Sequence, residues 1–299
     1  MSMPITAFRV RFEGLPNEYW ARRWRIPNHT QPFAPVPPST RSIYVAKVRS
    51  LFTNGQYDGR AEEISLDDAR RWGLHGQHDT AVIYAHAQTA GASNRFCLRM
   101  LPNAVDATSN IHSSTFRVYD RLVQDAKFHS TYLTGAEGSF VPIHYGMWVM
   151  ETGDWAGKVL FSLTQWCGIP WNELRHTKLD TQANRILVGR AFEALHDYGV
   201  DHGGLNYRSD FRHVLIDIFA PGLTGAGIMN GKAPCYIVDF SEASAGHLCA
   251  RKLPVLPLDA FPDTKEVGCR EIADLLILLN FTRSSNKFSS FCSNSCNSF

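Results

Sequence analysis

Two stretches of the 299-residue chain hold residue types that could do chemistry together. The first is HGGLNYRSDFRHVLIDI, residues 202–218, and the second is CYIVDFSEA, residues 235–243. A His closes a helix-like run, two glycines and a polar loop follow, and a β-branched strand comes next. A second strand then ends on Asp239. A carboxylate at a strand end, after a His-bearing polar loop, could hold a divalent cation and serve phosphoryl transfer, although Gly204 brings no side chain to that loop. Other chemistries have less to build on. The chain holds no H-E-x-x-H, no G-x-S-x-G and no C-x₂-C pair. His247 and Cys249, taken with Cys235 and Cys269, fit no common zinc spacing and read as buried thiols beside a histidine. GAGIMNGK (225–232) looks like a phosphate loop, but it has no Ser or Thr after Lys232 and precedes a strand, so it reads as a hairpin loop.

The elements that must position these residues are legible from periodicity. SIYVAKVRSLF (42–52), TAVIYAHAQT (80–89), RFCLRML (95–101), VPIHYGMWVM (141–150) and KVLFSLTQWC (158–167) read as strands. Residues 113–134 read as a helix with Phe116, Tyr119, Leu122, Val123, Ala126 and Tyr132 near one stripe. SLDDARRWGL (65–74) opens with an N-cap signal and reads as a short helix. Residues 179–200 form the clearest helix and end at Gly199. HVLIDIF (213–219) and CYIVDF (235–240) read as a hairpin, and REIADLLILLNF (270–281) as a last helix. Five prolines in 27–40 mark an extended linker. The aromatic and Arg-rich run NEYWARRWRIPNHTQPF reads either as a partner-binding arm or as a segment packed on its own domain.

Bulk properties remove some classes. The net charge of +2 provides no basic field for nucleic acid. The longest apolar runs, such as ADLLILL (273–279), are too short to span a membrane. Seven irregularly spaced cysteines, and a start without a secretory pattern, read as reduced thiols in a cytoplasmic or nuclear protein. The Ser/Asn-rich end reads as a disordered tail.

LHDYGVDHGGL (195–205), RHVLIDI (212–218) and CYIVDFSEASAGHLC (235–249) resemble the protein-kinase-like superfamily. More narrowly, they are similar to fungal kinase-like proteins whose core reads roughly LH..GV.HGDL...HVL...YIVDFSEA..H.C. Element order extends the likeness over residues 80–250. The resemblance implies an α+β, two-lobed protein-kinase-like fold with a truncated C-lobe. Residues 1–40 would be an N-terminal extension with the Pro-rich linker and 41–167 a β-rich N-lobe. Residues 168–281 would be a helical C-lobe and 282–299 the tail.

The same resemblance implies ATP and Mg²⁺ as cofactors and assigns roles position by position. Asp239 of Asp239-Phe240-Ser241 falls at the metal-holding Asp; its other reading is a carboxylate that closes a strand. Arg99 falls where a Lys holds the phosphates, or is a strand-edge Arg in solvent. Asp125 falls at the acid that braces this cation, or is a surface Asp on an amphipathic helix. Gln165, Trp166 and Cys167 fall at the hinge that meets adenine. Aligning on the strand puts His213 at the second metal position; counting from Gly204 puts Ser209 there. Gly204 falls where the family's catalytic loop has an Asp, and Asp210 could substitute for that acid or be solvated. No glycine-rich cover loop precedes 80–89, and the A-P-E motif and the long helical region after it are missing, which removes the part that docks peptides. The resemblance therefore implies a pseudokinase with an unidentified protein partner and weak or no phosphotransfer. Two alternatives stay open: an active phosphotransferase that uses Asp210, and a nucleotide-free scaffold.

Overall fold

Strand alternation decides where the side chains of the first residues go. In β1 (Ala7–Phe12), Phe8, Val10 and Phe12 are buried while Arg9 and Arg11 face solvent; in β2 (Glu18–Arg23), Tyr19 and Ala21 are buried. A period of two with one apolar face demands a partner sheet, and in the computed structural model these strands find one. The structure describes residues 5–51, 62–63, 82–89, 94–102, 104, 113–153, 156–205, 211–258 and 264–281. Strands β3 (Ser42–Leu51), β4 (Glu62–Glu63), β5 (Val82–Thr89), β6 (Arg95–Leu101), β7 (His144–Glu151) and β8 (Lys158–Gln165) join β1 and β2. The order is β1-β2-β7-β8-β6-β5-β3, and β3 pairs back onto β1. That last contact is parallel, Val10 opposite Ile43, and the other neighbours are antiparallel. The result is a closed seven-strand mixed barrel, with β4 appended to β3. Closure leaves the seven strands no free edge.

Large side chains fill the barrel. Phe8 lies 4.6 Å from Trp148 and 6.4 Å from Phe161, ring centre to ring centre. Helix α1 (Ser113–Phe128) covers one outer flank, with Leu122, Val123 and Ala126 packed on Leu101, Met147 and Leu160. It continues into a π-helical turn, His129–Leu133. Met147 and Leu160 are thus buried from outside the barrel, while Phe161 and Leu163 of the same β8 are buried from inside.

Beyond β8 the elements are short. They are β9 (Ile169–Pro170), α2 (Trp171–Leu174), α3 (Gln182–Asp197), β10 (Val200–Asp201), β11 (Val214–Ile216), α4 (Gly225–Met229), β12 (Cys235–Ile237), β13 (Ser244–Ala245), α5 (Thr264–Val267) and α6 (Arg270–Leu278). The Thr181 hydroxyl caps α3 by accepting the Asn184 N–H. β12, β11 and β9 form a small sheet, and β10 pairs with β13. Their shared core is built around Trp171, Phe192, Leu195, Phe211, Phe240 and Leu276.

This architecture corrects the expected fold. The chain does not have a two-lobed protein-kinase-like fold with a truncated helical C-lobe. The segment read as an N-terminal extension supplies β1 and β2, and its register with β3 closes the sheet that an N-lobe would leave open. After Asp239 the described α-helices are four and nine residues long, too little to make a helical lobe. The anticipated hairpin is present as β11 and β12, with α4 in its connection. The helix read at 65–74 and the tail at 282–299 lie outside the described residues.

Candidate functional site

Barrel geometry aims the first residue. On β6, Phe96, Leu98 and Met100 point inward, so Arg99 points out, towards α1. Asp125 of α1 shares the inward face of that helix with Leu122 and Ala126. Arg99 Nη1 donates to Asp125 Oδ2 at 2.8 Å, and both side chains are almost fully buried. The other carboxylate oxygen of Asp125, Oδ1, accepts the Phe240 N–H at 2.6 Å. That bond ties α1 to the turn after β12. Arg121 of α1 and Glu242 of the turn form an exposed ion pair across the same junction.

Asp239 opens this turn in the left-handed region, φ 66° and ψ 71°. A non-glycine residue there stores strain of order 1 kcal/mol, a pattern that concentrates at working sites. Its Oδ1 accepts the Ser241 hydroxyl at 2.8 Å and lies 3.5 Å from Arg99 Nη2; its Oδ2 lies 3.7 Å from His213 Nδ1. Burial opposes the charge on Asp239, but Arg99, His213 and Ser241 outweigh it and hold the carboxyl well below its ordinary range. Burial pushes Asp125 the other way, up to about 6, with Arg99 and the Phe240 N–H opposing. At neutral pH both are carboxylates flanking one guanidinium.

The loop beneath is fixed by His202. Its Nδ1 accepts the Gly204 N–H at 3.2 Å, so the proton sits on Nε2, which donates to the Val238 carbonyl at 3.0 Å. The two glycines of this loop differ. Gly203 has φ +71°, and a Cβ there would lie 2.4 Å from the Glu242 carbonyl oxygen. Gly204 is free of that backbone demand; a Cβ would approach the His202 ring at 3.0 Å and His213 Cδ2 at 3.8 Å. The loop backbone therefore requires the first glycine, while the second mainly withholds a side chain.

The structure brings Arg99, Asp125, Asp239 and His213 together. Asp210 and Ser209 lie outside the described residues. Gln165, Trp166 and Cys167 connect the barrel to β9. The Gln165 and Trp166 amides donate to the Ile143 and Arg95 carbonyls, and the Cys167 thiol donates to the Gln165 carbonyl. The Trp166 ring stacks on His86 at 4.2 Å. Sequence reasoning missed Glu271 in the first turn of α6. Its carboxylate accepts the His202 and Gly203 amides, each at 3.1 Å, and pairs with His196 Nε2 at 2.7 Å. The only sequence signal was a charged residue at the head of an apolar helix. Comparison of the chain with protein-family models and with curated proteins gave no match.

Proposed function

We propose that the chain binds a nucleoside triphosphate together with a divalent cation and transfers phosphate very slowly or not at all, as a pseudokinase does. The observation that carries this reading is Arg99, held at 2.8 Å by Asp125 and at 3.5 Å by Asp239. The tight contact anchors the guanidinium, and the longer one can be exchanged for a phosphate oxygen without undoing the anchor. Asp239 and His213 offer a carboxylate and an imidazole side by side. A carboxylate suits Mg²⁺ or Mn²⁺, and the added imidazole favours Mn²⁺. When bound, the cation supplies charge neutralisation for the phosphates. The chain's own residues orient it: Ser241 positions the carboxylate and Arg99 balances it. Gly204 argues against efficient transfer, because no side chain there can take a proton from an acceptor hydroxyl. Loss of a general base costs on the order of 10²–10⁴ in rate.

Thermal unfolding with Mg·ATP and Mn·ATP, beside Asp239→Asn, tests the reading. Ligand at about 100 times Kd stabilises the native state by about 2.7 kcal/mol. The wild type is expected to shift and Asp239→Asn to lose the shift. No shift in the wild type with either metal would leave a nucleotide-free scaffold. Rapid phosphotransfer that disappears in Asp210→Ala would replace the pseudokinase reading with an active enzyme.

A further inference from the structure

A second cluster lies on the far side of Glu271. His196 lies in the last turn of α3, His247 and Cys249 follow β13, and Cys269 precedes α6. One ligand atom from each of the four lies within 4.8 Å of the others. Cys269 Sγ is 3.6 Å from His196 Nδ1 and 3.8 Å from His247 Nε2. A tetrahedral zinc ion, with Zn–S near 2.3 Å and Zn–N near 2.0 Å, places its sulfur and nitrogen ligands about 3.5 Å apart. We propose that His196, His247, Cys249 and Cys269 form a structural Cys₂His₂ zinc site.

Three further observations fit a metal better than loose thiols. His196 turns Nδ1 to the cluster while Nε2 lies 2.7 Å from the Glu271 carboxylate. This is the second-layer arrangement that fixes a zinc-bound imidazole and its tautomer. The β10–β13 pairing and the His247 N–H to Gly199 carbonyl bond seat the His-x-Cys segment beside the end of α3. His196 and Cys269 are buried while His247 and Cys249 are half-buried, which gives an ion an approach from one side. Four protein ligands leave no open position, so the role is structural rather than catalytic. Glu271 receives the His202 and Gly203 amides, so the site also braces the loop of the candidate nucleotide site.

The sequence conceals the set because His196 lies far upstream. Cys235, the other cysteine considered with them, lies instead in β12 and packs into the core.

The test is metal analysis of the untagged full chain, purified under reducing conditions without chelator. About one zinc per chain is expected, retained in Cys235→Ser and lost in Cys249→Ser and Cys269→Ser. Those two variants could fail to fold, so Co²⁺ exchange into the wild type gives an independent reading. Tetrahedral cobalt bands with thiolate charge transfer are expected. Absence of both zinc and the cobalt spectrum overturns the proposal. So does a Cys249–Cys269 disulfide found by mass spectrometry in protein purified under those conditions.

Discussion

Arg99 on the outer face of the barrel donates to Asp125 on the covering helix at 2.8 Å, and the same guanidinium reaches within 3.5 Å of Asp239. Three segments distant in sequence are joined by one buried cation. Removing it leaves two carboxylates facing each other away from water. Arg99→Met is expected to destabilise the fold by about 3–5 kcal/mol in denaturant titration. Arg99→Lys is expected to cost less, because an ammonium keeps the charge but loses the fork. The double variant Arg99→Met/Asp125→Leu is expected to be milder than Arg99→Met alone; a simple sum of the single losses would show that the two residues are not coupled.

The two loop glycines are expected to respond differently. Gly203→Ala forces a side chain into a left-handed conformation against the Glu242 carbonyl. A cost of about 2 kcal/mol or more is expected. Gly204→Asp meets a smaller obstacle, the His202 ring, and should cost less. It would also restore an acid near His213, so any basal phosphotransfer should rise by about 10². Equal destabilisation by both substitutions would contradict the assigned backbone difference.

Acid sensitivity is expected from His129 and His144, buried with ring centres 5.1 Å apart. Burial, aided by the Arg99 charge, lowers His129 from 6.5 to about 3, and burial lowers His144 as well. Their folded values lie below the unfolded ones, so between those limits the unfolded chain binds more protons. Stability is therefore complete above about pH 6.5 and falls as the pH drops; for His129 the fall runs down to about pH 3, at up to about 1.4 kcal/mol per pH unit. His129→Gln should flatten the slope of unfolding free energy against pH by about one proton. An unchanged slope would mean that this imidazole protonates freely in the native state.

Glu271 gathers the His202 and Gly203 amides and the His196 ring on one carboxylate. Glu271→Ala strands buried donors and is expected to cost about 3 kcal/mol. Glu271→Gln should recover part of this. Hydrogen exchange at the His202 and Gly203 amides should quicken in Glu271→Ala while the barrel amides stay protected. Uniform quickening would indicate a global effect and contradict local bracing.

The residues alone left the candidate site open: strand and helix patterns let Arg99 and Asp125 be read as surface groups, and only the resemblance around Asp239-Phe240-Ser241 gave them roles. Both are buried because β6 and α1 pack against each other, which no local pattern shows. The barrel was hidden for a different reason. Its closure depends on a parallel pairing of β1 with β3 across the proline-rich segment, and nothing local in AFRVRF announces that partner. The period-two pattern of Phe8, Val10 and Phe12 was present in the sequence, but the segment was read only as part of an N-terminal extension. Glu271 and the His196–His247–Cys249–Cys269 cluster were hidden because their partners meet only through tertiary packing.

The most direct test of the proposed nucleotide site is calorimetric titration of the full chain with Mg·ATP and with Mn·ATP, in wild type and in Asp239→Asn. The amide keeps the shape of the side chain and tolerates the left-handed backbone, so it removes the charge and exchanges one acceptor oxygen for an NH₂ donor without disturbing the turn. The account predicts saturable one-to-one binding in the wild type, tighter with Mn²⁺, and weakened at least about tenfold in the variant. Equal affinity in the two proteins, or no heat of binding in the wild type, would contradict it.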